Sequence, residues 1–249
     1  MKPKFIKSIL IFAISILIIS CDKKEEKILV FSKTNGFRHG SIEAGITALK
    51  KLGKENNFKA VATEDSLYFV EDSLKQFSAV VFLNTTGDIL NHEQQADFER
   101  YIQTGGGFVG VHAATNTESE WPWFNKLAGA CFNGHPKIQE AKLHAVNKNH
   151  LSTNHLEDTW VKTDEWYNFK DINPDINVLI TIDETTYKGG TNGENHPISW
   201  YHNFDGGRAF YTAMGHTNET YANPLFLNHL LGGIKYAIGK NPQNAYTKK

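Results

Sequence analysis

Cysteine is scarce in this chain: 249 residues hold two, Cys21 and Cys131. Two thiols cannot build the disulfide framework of a small secreted domain. Positive charge is not in excess either, with 26 Lys and Arg against 27 Asp and Glu. No basic block is present, which argues against nucleic acid as a partner. Metal-binding motifs of fixed spacing, His-x-His and His-Glu-x-x-His, are absent, and so are internal repeats.

The one long apolar run, Ile9 to Ile19, is too short for a comfortable membrane span. Lys2, Lys4 and Lys7 precede it, and it ends Ile18-Ile19-Ser20-Cys21. This pattern resembles a bacterial lipoprotein signal, cleaved before Cys21 and lipidated on that residue. A polar tether, residues 21–26, follows at once. Loss of residues 1–20 removes three lysines and shifts the formal net charge from -1 to -4. The expected location is the bacterial cell envelope, lipid-anchored on the periplasmic face or the cell surface. The plainer alternative is a secretory signal with a chance cysteine. Lipidation of Cys21 leaves Cys131 without a partner. Its setting, Leu127-Ala128-Gly129-Ala130-Cys131-Phe132, suits a small buried hydrophobe better than a reactive thiol.

The remaining length suits one α/β domain, residues 27–239, followed by a polar tail at 240–249. Strand and helix signals alternate in the first half. Strands are expected at 27–31, 59–63, 78–83 and 107–111, with helices at 41–52 and 92–104 between them. Buried strands joined by helices imply a mostly parallel sheet covered on both faces. The second half is richer in strands, at 141–146, 159–162, 178–182, 198–202 and 208–213. Asp205-Gly206-Gly207 reads as a hairpin turn. Thr185 to Asn195 reads as a polar loop or hairpin, and 225–238 as a closing helix.

Gly105-Gly106-Gly107-Phe108-Val109-Gly110-Val111-His112 is the most informative stretch. It describes a buried strand running into a sharp corner, the place where many α/β enzymes carry a nucleophile. Here the corner residue is His112, which can act as base, acid or metal ligand. Ligands of open parallel sheets bind beyond the carboxyl ends of the strands. That rule gathers three loops on one rim: Asn35 to Ser41, Asn84 to Asp88, and His112. Arg38 and His39 lie just before a helix start, where free amides favour an anionic or polyhydroxyl ligand. The alternative is a structural ion pair for Arg38 and simple helix capping by Ser41.

Asp164-Glu165-Trp166-Tyr167 follows a strand. Adjacent side chains point to opposite sides there, so Asp164 and Glu165 do not form a glycosidase-like pair. One would face the site while the other holds a loop, and Glu165 and Tyr167 would share a face. His196-Pro197 leads to Trp200, and Gly215-His216 follows another strand. His92, His144, His150, His155 and His202 lack such a setting and read as surface or structural residues.

Five motifs in order resemble the trehalose-utilisation, or ThuA-like, family. They are Gly36-Phe37-Arg38-His39, Gly106 to His112, Asp164 to Tyr167, His196-Pro197 with Trp200, and Gly207-Arg208 with Gly215-His216. The resemblance implies a flavodoxin-like fold of the class I glutamine-amidotransferase type. Those amidotransferases carry a catalytic cysteine at the corner, so His112 argues against glutaminase activity. The resemblance further implies a carbohydrate partner, a disaccharide or 3-keto-glycoside. His112 would be the base or acid, with His216 or Glu165 as its partner. Arg38, His39, Tyr167, His196, Trp200 and Arg208 would bind substrate, although core packing is an equal use for tryptophan. No cofactor is required by such chemistry. A divalent metal such as zinc, held by His39, His112, Glu165 and His216, is the alternative use of the same residues. A carbohydrate-binding lipoprotein without chemistry is the runner-up, and the sequence sets no oligomeric state.

Overall fold

The computed structural model describes residues 25–239. The leader at 1–20, the proposed lipid site Cys21 and the tail at 240–249 lie outside them. Among the described residues no helix is long and apolar enough to cross a membrane.

The elements run in this order: β1 (Glu26–Phe31), α1 (Ile42–Glu55), β2 (Phe58–Thr63), α2 (Glu71–Leu74), β3 (Ala79–Leu83), α3 (His92–Gln103), β4 (Gly107–Val111), α4 (Pro122–Ala128), β5 (Cys131–Phe132), β6 (Gln139–Ala145), β7 (Thr159–Asp164), β8 (Phe169–Lys170), β9 (Asn177–Ile182), β10 (Pro197–Phe204), β11 (Gly207–Thr212) and α5 (Pro224–Ala237). Nine strands form one sheet, ordered β2-β1-β3-β4-β11-β10-β9-β6-β7. The strands from β2 to β11 in that order are parallel, and those from β10 to β7 pair antiparallel. β5 and β8 form a separate small ribbon.

The chemistry of the sequence explains these choices. Every residue of β3 and β4 is buried, as both faces of a parallel sheet require. Asn91 caps α3 through a capping box with Gln94. Pro122 opens α4, and Gly129 at φ 92° closes it. Gly107 allows α5 to approach β4, because a Cβ there would stand 2.4 Å from the Ala237 carbonyl oxygen.

The sheet is the flavodoxin-like, amidotransferase-like arrangement expected, with a β-rich second half. Several bounds differ from expectation: α1 runs on to Glu55, β6 spans Gln139–Ala145 and β10 runs on to Phe204, while α2, α4, β5 and β8 are additional short elements. β7 extends to Asp164 rather than stopping at residue 162. Of the loop or hairpin expected at 185–195, the structure shows the loop, entered through a short 3-10 turn at Glu184–Thr186.

Candidate functional site

The loops leaving β1, β3, β4 and β11 meet on one rim of the sheet. Asn84 ties three of them together. Its side-chain amide donates to Ser41 Oγ at 3.0 Å and to the Gly215 carbonyl at 3.3 Å. Ser41 Oγ donates to that carbonyl as well, at 2.9 Å. Ser41 therefore links loops instead of capping α1 with its side chain.

His112 stands at the end of β4 with φ 50°, a left-handed conformation uncommon outside glycine. Tyr211 fixes the turn by donating its hydroxyl to the His112 carbonyl at 2.7 Å. His112 Nδ1 lies 2.6 Å from the Ala213 carbonyl. A carbonyl only accepts, so Nδ1 carries the proton and Nε2 presents its lone pair to the site. Nε2 is 3.3 Å from His216 Nδ1 and 3.4 Å from Glu165 Oε2. His216 Nδ1 is 3.1 Å from the same carboxylate oxygen.

His39 completes the cluster. Its ring crosses those of His112 and His216 nearly at right angles, at centroid distances of 4.9 and 5.1 Å. One ligand-capable atom from each of His39, His112, Glu165 and His216 lies within 4.8 Å of the other three.

Asp164 sets the back of this site. Its Oδ1 accepts from the Glu165 and His216 amides, and its Oδ2 from the Gly215 amide, the Thr220 hydroxyl and Lys162 Nζ. One carboxylate thus faces the cluster while its neighbour holds the loop that aims His216. The alternation at the end of β7 produces this division.

The environment separates the protonation states. Burial pushes His39 down to about 3, helped by the neighbouring imidazoles of His112 and His216. His39 is therefore neutral at pH 7. Burial alone would raise Glu165, but the neighbouring His112 and His216 side chains override it and hold the carboxyl well below the usual range. The hydrogen bond to Glu165 raises His216. Burial also raises the Tyr167 hydroxyl, whose ring lies 4.2 Å from that of His112.

A divalent metal fits this donor set. Ligands about 2.1 Å from a tetrahedral ion stand roughly 3.4 Å apart. The contacts among His112, His216 and Glu165 already measure 3.1 to 3.4 Å. His39 Nδ1, buried and without a hydrogen-bond partner, supplies a candidate fourth ligand.

The cluster opens into a cavity of about 230 Å³ lined by Phe37, Thr86, Asn116, Phe132, His135 and Tyr167 around His39, Glu165 and His216. A larger cavity, about 670 Å³, lies beside α4 and residues 171–175, away from the cluster.

Four further residues expected to bind substrate stand elsewhere. Arg38 pairs with Glu64 at 2.8 Å and with Glu43 at 3.4 Å on the surface. His196 is buried one layer behind the site, where its Nε2 donates to the Tyr167 carbonyl at 2.8 Å. Trp200 is fully buried, donating to the Ala128 carbonyl and stacking on Tyr211. Arg208 lies at the opposite end of the sheet, donating to the Ala237 and Gly105 carbonyls. Its place at the first turn of a parallel strand puts it on the amino edge, far from a carboxyl-rim site. Cys131 sits on β5 outside the corner, and burial raises its thiol.

Sequence reasoning missed His135. Its Nδ1 lies 3.0 Å from Glu165 Oε1, and its ring stacks against Tyr167. The turn Asn133-Gly134-His135-Pro136 marks a loop, but no strand rule aims that loop at the rim.

The fold and rim define a class: an α/β domain of flavodoxin-like, amidotransferase-like arrangement that carries a histidine–carboxylate cluster at the corner after β4. The ThuA family, described as trehalose utilisation, matches residues 27–237, and the chain belongs to it. A ThuA-like protein from Bacteroides uniformis is 25% identical, with a TM-score of 0.74, over 88% of this chain and 94% of its own. One from Parabacteroides merdae is 24% identical, with a TM-score of 0.73, over 91% and 93%. A cytoplasmic protein from Salmonella typhimurium shares the fold at 11% identity and a TM-score of 0.60, over 85% and 98%. No curated protein matches the chain.

Proposed function

We propose that this chain transforms a glycoside or 3-keto-glycoside by proton transfer at the His39–His112–Glu165–His216 cluster, which the cavity reaches through His39, Glu165 and His216. The observation that carries this reading is the His112 side chain. Its tautomer is fixed by the Ala213 carbonyl, so its Nε2 lone pair faces a charged carboxylate and a second imidazole. A ketone acidifies the hydrogen on the next carbon. His112 Nε2 takes that proton, and the electron pair moves into the carbonyl as an enediolate. Reprotonation gives isomerisation or epimerisation. Loss of the glycosidic oxygen, protonated by His216, splits the sugar instead. Glu165 stabilises the charge on both imidazoles. Membership of a family described as trehalose utilisation supports the substrate class.

A second reading rests on the unpartnered His39 Nδ1: the four residues hold a divalent cation. A bound cation supplies polarisation of the sugar carbonyl. Outside the pocket, the leader pattern supports a lipid anchor at Cys21, with a non-catalytic sugar-binding lipoprotein as the competing role.

The test incubates purified protein with native and 3-keto disaccharides, with and without chelator, and measures metal content. Turnover insensitive to chelator supports the acid–base reading. Turnover abolished by chelator and restored by one metal supports the cation. Binding without turnover of any sugar refutes the enzyme and leaves the binding lipoprotein.

A further inference from the structure

We propose that the pocket encloses one sugar ring and that Phe37, standing free at its mouth, is the platform for the second ring. This deepens the reading of the pocket as a carbohydrate site and rests on it.

The first argument is volume. Close-packed organic matter takes on the order of 15 Å³ per heavy atom, so a twelve-atom hexose needs about 180 Å³ and a disaccharide about 350 Å³. The cavity offers about 230 Å³. One ring fits inside, and the other must leave through the opening.

The second argument is Phe37 itself. It lines the cavity and yet remains 67% exposed. Single exposed apolar residues are ordinary, so exposure alone means little. What sets Phe37 apart is that its backbone is pinned. Thr86 Oγ1 donates to the Phe37 carbonyl at 3.0 Å, and the Asn35 amide donates to the Thr86 carbonyl at 2.8 Å. Gly36 packs against Thr86 so closely that a Cβ would stand 3.3 Å from its hydroxyl. Phe37 also rests edge-on against His39 at 4.9 Å, so the platform joins directly to the cluster. A preorganised aromatic face offers contact area to the C–H face of a pyranose at low entropy cost.

The inner ring would meet a different surface. Phe132 and Tyr167 wall the cavity, and Glu165 and His216 supply its charged groups. Recognition of this ring is therefore steep. The outer ring meets one aromatic side chain and solvent, so its recognition is shallow. The site discriminates strongly in the sugar it transforms and weakly in the group attached to it.

The experiment compares binding by calorimetry in the purified full-length protein. The probes are trehalose and 3-ketotrehalose against methyl α-glucoside and its 3-keto form. Wild type should bind each disaccharide more tightly than the matching methyl glycoside. Phe37→Ala should weaken the disaccharides about three- to tenfold more than the methyl glycosides, the span an aromatic contact provides. Phe37→Trp should restore the preference. Thermal melting checks that both variants keep the fold. Equal weakening of both sugar classes, or no change in either, overturns the platform. Binding as expected without turnover supports the platform and refutes the chemistry proposed above. A protein that binds none of these probes refutes both.

Discussion

Replacing Asp164 by Asn should unfold the site from behind. Asp164 is completely buried, and its two oxygens accept from five donors. Asparagine keeps the shape but turns one oxygen into an NH₂ group. If that group takes the Oδ2 position, it faces the Gly215 amide, the Thr220 hydroxyl and the Lys162 ammonium, all of them donors. The opposite rotamer faces the Glu165 and His216 amides. Lys162 is itself buried, so its charge loses its partner in a place where water cannot replace it. Removing one member of a buried ion pair costs about 3–5 kcal/mol. That is a large share of the roughly 5–15 kcal/mol by which domains are stable. Urea unfolding followed by tryptophan fluorescence measures it, with the midpoint falling at unchanged slope. Lys162→Met in the Asp164→Asn background should recover part of the loss, because the stranded charge is then gone. The pH dependence carries the same logic. Burial opposes ionisation of Asp164, but Lys162 and the amide bonds win and hold its folded pKa below the ordinary 3.8. Its contribution is therefore present above about pH 4 and is lost as pH falls below that value. An Asp164→Asn variant within about 1 kcal/mol of the parent would show that the five contacts contribute no net stability, and the reasoning would fail.

Three further outcomes are expected. His112→Asn keeps a residue that tolerates φ 50°, so the fold should survive while sugar turnover drops about 10²- to 10⁴-fold; unchanged kcat would remove His112 from the chemistry. Burial pushes His39 and His229 down to about 3 and His150 to about 4, so the unfolded chain binds protons that the folded one refuses. Their contributions are complete above about pH 6.5 and fade as pH falls toward 4, which a pH series of thermal melts should show as a steady loss of Tm; a flat Tm from pH 7 to 4.5 would contradict it. Gly107→Ala places a methyl 2.4 Å from the Ala237 carbonyl oxygen and should cost about 1–3 kcal/mol, read from urea midpoints, unless α5 can shift without loss.

What the sequence determined by itself follows from parallel-strand geometry. A short, near-continuous apolar run rich in β-branched and aromatic residues reads as a strand buried on both faces, and β3 and β4 are that. Strands joined by helices must run the same way, so the residues after β1 and β4 share a rim. His39 and His112 were legible for this reason alone. The alternation of side chains along an extended segment also separates Asp164 from Glu165. The ordered motifs identified the family, whose match covers nearly the whole described domain.

Tertiary structure decided the rest, because β6 to β10 pair antiparallel and only β11 rejoins the parallel strands. Strand ends alternate between the two rims there, and no local rule says which end faces the site. Glu165 and His216 came to the rim through family resemblance, and their shared oxygen contact is visible only in the fold. Trp200 and Tyr167 have the same aromatic character in sequence, yet one fills the core while the other lines the pocket. Arg208 begins a parallel strand, and only the pairing of β11 with β4 shows that this start is the wrong edge. His135 reaches Glu165 from a loop with no periodicity to read. Hydrophobic pattern fixes which residues are buried in a sheet, whereas the meeting of polar side chains across distant loops depends on how the whole chain packs.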